Sequence, residues 1–275
     1  MKKIQWRGTW GVGDVCMGLN VAHNYSWSNK DCEVELEFHW NHDEDYKTRP
    51  DDPETIIERC AFLHDKYHQN DRVKVSHVFN TSLFHYAEED PYTDKQKNKL
   101  RWIFPNDVRD KTLRGEEMDW VYDKKYYREP QERKTYLGVY WTPQHNSERP
   151  RYWKRQLLPK DWEETKHRFI KISNFIELNY QTPIKDVFDI IVECDWIFCY
   201  EGMWHYLARN LAKPIVIQSK ERVTLANTPQ VKRLRNRTSY KNWLISKKPD
   251  LLIHGLKNRA TTYYQNRLKK FHENR

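Results

Sequence analysis

Residues 184–217 read IKDVFDIIVECDWIFCYEGMWHYLARNLAKPIVI, and this stretch decides the fold class. Ile184, Val187, Phe188 and Ile191 recur at i, i+3, i+4 and i+7, the spacing of one helix face. Asp195 ends that pattern, and an unbroken apolar run comes next, Trp196-Ile197-Phe198-Cys199-Tyr200. Without polar alternation the run reads as a strand buried on both faces. Glu201-Gly202 turns the chain into a second helix, which carries Leu207 and Leu211. Lys213-Pro214 breaks that helix, because proline has no N–H to give it. Ile215-Val216-Ile217 is the next strand. Helix and strand in regular alternation mark an α/β fold with a parallel sheet covered on both faces.

The same rhythm extends outward. Residues 135–141 and 169–173 read as strands, with a helix from about Asp161 between them. Leu256, Ala260, Tyr263, Tyr264, Leu268 and Phe271 share one face of a terminal helix. Toward the amino terminus, residues 3–7 form a short strand and residues 8–13 a glycine-rich turn. Asp14 then opens a stretch with Val15, Gly18, Leu19, Ala22 and Ser26 on one face. Val34, Leu36, Phe38 and Trp40 alternate along a second strand. Residues 54–67 read as a helix and 73–79 as a strand, whereas 87–101 read as a polar loop.

Charge divides the chain as well. Of its 275 residues, 48 are Lys or Arg and 39 Asp or Glu, a net +9. Residues 1–132 hold 20 basic and 26 acidic side chains, a net −6, and residues 133–275 hold 28 and 13, a net +15. Both charge and rhythm change near residues 130–134. The expected organisation is a first domain over 1–132, a second over 133–250, and a terminal helix over 251–275 that crosses back to the first. A basic half prefers anionic partners such as phosphates, nucleotides or nucleic acid. Charged residues at 32% exclude an integral membrane protein, and no apolar run reaches the ~20 residues of a membrane span. The basic start, Met1-Lys2-Lys3, lacks the apolar core of a secretion signal. Five scattered cysteines without a C-x-x-C pair argue against a disulfide framework or a structural zinc, and for a reducing, cytoplasmic setting.

Five segments carry candidate chemistry. The turn Gly8-Thr9-Trp10-Gly11-Val12-Gly13-Asp14 lets backbone approach a ligand and leads to a helix start with free N–H groups. Asp14 there is either a general base at the sheet's carboxyl edge or a helix N-cap. Tyr200-Glu201-Gly202-Met203-Trp204-His205 is a second strand-to-helix junction, with Glu201 and His205 four apart. No third ligand lies within range for a metal, and a ribose or phosphate contact suits it better. Arg149, Arg151, Lys154 and Arg155 surround Tyr152 and Trp153. Such a cluster suits a diphosphate beside a stacked ring, a nucleic-acid strand, or a plain exposed loop. Asp43-Glu44-Asp45, with His39 and His42 nearby, has a D-x-D spacing within a loop charged throughout. Lys232-Arg233-Leu234-Arg235-Asn236-Arg237 is a basic run that fits a nucleic-acid patch or a solvated face.

Together these residues resemble the heptosyltransferase-type glycosyltransferases, family nine of the GT-B architecture. Gly11-Val12-Gly13-Asp14-Val15 resembles that family's opening Gly-Asp loop, and Arg151-Tyr152-Trp153 its Lys/Arg-x-Trp motif. Residues 178–217 match best, with a Glu-Gly-x-x-His turn in place of the usual Asp-Ser-Gly-x-x-His. The resemblance covers about half of the chain and leaves 30–132 without a counterpart. It implies two Rossmann-like domains facing across a cleft, and metal-independent sugar transfer from a nucleotide-diphosphate sugar as co-substrate. It implies Asp14 as catalytic base, and Gly11, Gly13, Arg151, Lys154, Glu201, Gly202 and His205 at the donor. A glycan is the first choice of acceptor, because the acidic half would repel a polyanion. A hydroxymethylated base in DNA, peripheral membrane contact, and a non-catalytic nucleic-acid-binding protein stay open.

Overall fold

A computed structural model describes residues 2–7, 12–29, 31–40, 53–67, 71–79, 102–103, 124–127, 136–141, 167, 173–179, 181–200, 203–218, 231–234 and 249–273. The chain divides into two compact units, Met1–Trp120 and Val121–Glu273. Both are α/β, with helices alternating with small, mostly parallel sheets. No helix among the described residues is long and apolar enough to cross a membrane.

The first unit runs β1 (Lys2–Arg7), α1 (Val12–Ser28), β2 (Val34–Trp40), α2 (Ile56–Lys66), β3 (Val73–Phe79) and β4 (Trp102–Ile103). Its sheet has the order β3-β2-β1-β4. The first three strands are parallel, and β4 is antiparallel to β1. Alternation sorts the faces of this sheet. Ile4 lies opposite Leu36, and both are fully buried with Phe38, Val15, Leu19, Cys60 and Leu63. Each such aliphatic or aromatic side chain contributes about 1.5–3 kcal/mol of burial. The odd-numbered positions carry the charges: Lys3 Nζ lies 2.5 Å from Glu37 and 3.6 Å from Glu35. Thr55 caps α2. Its hydroxyl accepts from the Glu58 N–H at 3.2 Å, and the Glu58 carboxylate accepts from the Thr55 N–H at 2.7 Å. That reciprocal pair satisfies two backbone donors which a helix start otherwise leaves open.

The second unit runs β5 (Tyr136–Trp141), β6 (Ser173–Leu178), α3 (Ile184–Glu193), β7 (Trp196–Tyr200), α4 (Met203–Asn210), β8 (Ile215–Gln218), β9 (Val231–Leu234) and α5 (Pro249–Glu273). All five strands are parallel, in the order β6-β5-β7-β8-β9. One expectation changes here, and one candidate segment gains a place in the sheet. The strand expected over 169–173 is found at Ser173–Leu178, where Asn174 and Glu177 are exposed and blur the apolar pattern. The basic run from Lys232 begins inside β9, with Lys232 opposite Val216 and Arg233 opposite Ile217. β9 is the last strand of the sheet among the described residues, a position where cationic residues discourage pairing with other chains. The helix expected from Asp161 falls outside the described residues, apart from His167.

Trp196 organises the middle of this sheet. It is fully buried, and its indole N–H donates to the Ser173 hydroxyl at 2.8 Å. Gly138 makes room for it: a Cβ there would sit 2.9 Å from both Trp196 Nε1 and a Phe175 ring carbon. At the amino edge, Asp195 exchanges backbone bonds with β5. Its N–H donates to the Leu137 carbonyl, and its carboxylate accepts the Leu137 N–H, both at 2.8 Å. The other carboxylate oxygen accepts from Lys257 of α5 at 2.9 Å. Lys213 Nζ donates to the Val192 and Cys194 carbonyls at 2.6 and 2.9 Å, which closes the carboxyl end of α3. Ile253, Leu256, Ala260 and Tyr264 line the buried face of α5, and Tyr264 stacks on Tyr127 at 3.5 Å.

Candidate functional site

In a parallel sheet a crevice opens at the strands' carboxyl ends wherever successive connections leave in opposite directions. Numbered along the chain, the second unit's strand order is 2-1-3-4-5. The chain steps from β5 out to β6, then returns past β5 to β7. The reversal therefore lies between β5 and β7. These two strands pair Gly138 with Trp196, Val139 with Ile197 and Tyr140 with Phe198. Trp141 ends one and Tyr200 the other. The two chains thus leave the sheet side by side, about 4.8 Å apart.

Each exit leads into a segment rich in candidate chemistry. Beyond β5 the chain runs into the cationic and aromatic cluster of residues 149–155, and beyond β7 into Glu201, Gly202 and α4. Residues 149–155 themselves lie outside the described residues, so the crevice is defined by the ends of β5 and β7 and the start of α4. His205 is the third residue of α4 and is fully buried. Its ring lies against Tyr206, centroids 3.9 Å apart. Residues 204–210 are buried on every side of the helix. The helix ends in a paired backbone motif: the Ala212 N–H donates to the Arg209 carbonyl at 2.9 Å and the Lys213 N–H to the Ala208 carbonyl at 2.8 Å. Ala212 takes the left-handed conformation, φ 53°, that this closure requires.

In the first unit, Asp14 is the third residue of α1, the helix after β1. The helix begins at Val12, so Asp14 lies inside the first turn and is not its N-cap. Gly13 likewise belongs to the helix rather than to the preceding turn. β1 separates parallel β2 from antiparallel β4, so Asp14 enters at the carboxyl edge of the last parallel strand. Gly11, Arg151, Lys154, Glu201 and Gly202 lie outside the described residues, as do the Asp14 side chain and Asp43-Glu44-Asp45.

Sequence reading missed a polar cluster in the first unit. His23 Nε2 and His64 Nδ1 are 3.1 Å apart across α1 and α2. Burial lowers the pKa of both rings, that of His23 well below its ordinary value. The one available signal was His64 standing one turn past Cys60 on the apolar stripe of α2. Burial also pushes the Cys194 thiol up to about 11 and Cys60 to about 12, so neither is a ready nucleophile. Among the described residues no group of three or more His, Cys, Asp or Glu is set to hold a metal ion. Comparison with protein-family models, with curated proteins and with solved structures finds no match for this chain.

Proposed function

We propose that the protein is a glycosyltransferase of GT-B architecture, which moves a sugar from a nucleotide-diphosphate sugar to an acceptor hydroxyl, a glycan being the acceptor. One observation carries this reading. The reversal of strand order between β5 and β7 opens a crevice at the ends of these two strands, and residues 149–155 and 201–205 follow those strands in sequence. Such a crevice is where an open α/β sheet takes up nucleotides. The chemistry of those segments suits a diphosphate: guanidinium and ammonium groups for the phosphates, aromatic rings for stacking, and a helix start with open N–H groups.

In this reading each of the two units is a Rossmann-like domain, the first serving the acceptor and the second the donor. The acceptor hydroxyl attacks the anomeric carbon, and the bond to the diphosphate oxygen breaks. Asp14 takes the hydroxyl proton. Arg151 and Lys154, with the N–H groups near Gly202, hold the charge that grows on the leaving diphosphate. Glu201 contacts the nucleotide, His205 is buried within α4 behind that turn and supports it, and Gly11 and Gly13 allow the backbone to come close. The net −6 of the first 132 residues, against +15 beyond them, fits an anionic donor held by the second half.

A melting-temperature screen against nucleoside diphosphates and their sugars tests the reading. A single diphosphate is expected to stabilise the protein, and the base identifies the donor class. Asp14→Asn is expected to keep donor affinity within a few-fold and to lose transfer by ~10²-fold or more. Transfer at near wild-type rate would remove Asp14 from its role. Steeply salt-dependent DNA binding without nucleotide-sugar turnover would replace the whole reading with a nucleic-acid-binding one.

A further inference from the structure

We propose that the contact between His23 of α1 and His64 of α2 is an acid-sensitive latch holding these two helices of the first unit together. The contact is part of a compact polar plug. His23 is 1% exposed, and its ring stacks on Tyr67 with centroids 4.2 Å apart and planes 5° apart. The Tyr67 hydroxyl donates to Asn20 of α1. Tyr67 is also the C-cap of α2, its N–H donating to the His64 carbonyl at 3.2 Å. The last turn of α2 is thereby fastened to the middle of α1 through Asn20, His23, His64 and Tyr67.

The contact has room for one proton between the two ring nitrogens. One imidazole donates and the other accepts. A second proton on that line would set two N–H donors head to head. A first extra proton creates an imidazolium in a site shielded from water. His64 is only half-buried, which leaves the latch a route to solvent protons.

The surrounding charges offer little compensation. Asp65, next to His64, favours its protonated form, but it is exposed and bonded to Lys66 at 3.0 Å. Lys66 also lies over the Phe62 ring at 4.5 Å. Arg59 is paired with Glu54 at 3.3 Å, and Glu58 is held in the Thr55 cap. From β3 and the residue before it, Arg72 lies over the Trp27 ring at 5.7 Å and His77 stacks on Phe38 at 5.7 Å. Lys74 faces Glu33 at 3.9 Å. Cys60 stays a neutral thiol.

The direction of the shifts sets the sign. Both imidazoles have folded-state pKa values below the ordinary 6.5. The folded form therefore binds fewer protons than the open one. The latch is at full strength above pH 6.5 and weakens as pH falls below it, by up to about tenfold per pH unit for each ring.

Hydrogen exchange of the full-length protein at pH 7.5 and pH 5.5, corrected for intrinsic exchange, reads the latch directly. Protection over residues 56–67 is expected to fall by about tenfold or more, while α3 of the second unit holds steady. His64→Gln keeps a hydrogen-bonding partner for His23 without titrating, and is expected to shrink the acid response at least threefold. His77→Gln, on β3 outside the contact, also removes a ring whose pKa burial lowers, and is expected to change the response over residues 56–67 less than His64→Gln does. An unchanged wild-type protection pattern, or an equal acid response in His64→Gln, overturns the latch. Should the His64→Gln variant fail to fold, the wild-type imidazole resonances decide: titration of both rings below the ordinary 6.5 supports the latch, and titration of either at 6.5 or above overturns it.

Discussion

The two edges of the five-stranded sheet handle charge in opposite ways. At the amino edge, Asp195, Lys213 and Lys257 are all buried, and each is bonded within the unit. At the carboxyl edge, β5 and β7 end side by side and give way to segments whose cations and helix start suit an incoming anion. The contrast divides the segment on which the proposed function leans into two parts. Cys194-Asp195 and Lys213-Pro214 lock helix to strand. Glu201-Gly202 and His205 follow β7 at the edge where parallel sheets bind ligands. The first pair therefore speaks for the fold alone, and only the second bears on the proposed reaction.

Asp195→Ala tests that division most severely. It leaves the Lys257 ammonium buried without its carboxylate and strips the Leu137 N–H of its acceptor. Removing one partner of a buried ion pair costs about 3–5 kcal/mol. Urea unfolding of the second unit is expected to show a loss of that size. Whatever stabilisation a nucleoside diphosphate gives the wild-type protein is expected to survive in the folded fraction. A lost ligand response in a still-folded variant would mean that the amino edge takes part in binding, and the comparison would collapse.

The elements that were legible in sequence are those fixed by local pattern. Ile184, Val187, Phe188 and Ile191 sit on one buried face of α3 as their spacing requires, and the apolar run from Trp196 is the central strand β7. Pattern fails where burial is one-sided or where partners are distant. β6 lies at a sheet edge and mixes exposed Asn174 and Glu177 with apolar neighbours. β9 hides behind its own lysine and arginine, and β4 has two residues, too few for any period. The candidate crevice was half legible. The junction after β7 could be read from its glycine and its charge, and the segment after β5 from its cations and aromatics. That β5 and β7 end side by side depends on strand order, which links Trp141 to Tyr200 across 59 positions and leaves no mark on either segment alone. The His23–His64 contact, 41 residues apart, was invisible for the same reason.

Gly138→Ala probes the fold from inside the sheet. The added methyl would meet Trp196 and Phe175 at 2.9–3.0 Å, and both rings are packed in place. Overpacking of this kind costs about 1–3 kcal/mol. Because β5 also sets one wall of the crevice, ligand binding is expected to weaken along with stability. A stable variant with intact binding would show that Trp196 can slide, and that β5 and β7 tolerate movement at their shared exit.

Arg151→Gln asks the opposite question, with the smallest effect on the fold. It removes a charge from the segment beyond β5 while leaving the described core untouched. Stability of the free protein is expected to change by about 0.5 kcal/mol or less. Affinity for a nucleoside diphosphate is expected to fall at least about tenfold, the worth of one charge-assisted hydrogen bond. Affinity for the nucleoside without phosphates should be unchanged, because the guanidinium is assigned to the phosphates and not to the base. Titration calorimetry with the two ligands separates these outcomes. A proportional loss for both would move Arg151 toward the ring or ribose. No loss for either would leave the carboxyl edge without its principal cation, and Lys154 or Arg155 would become the next residue to test at that exit.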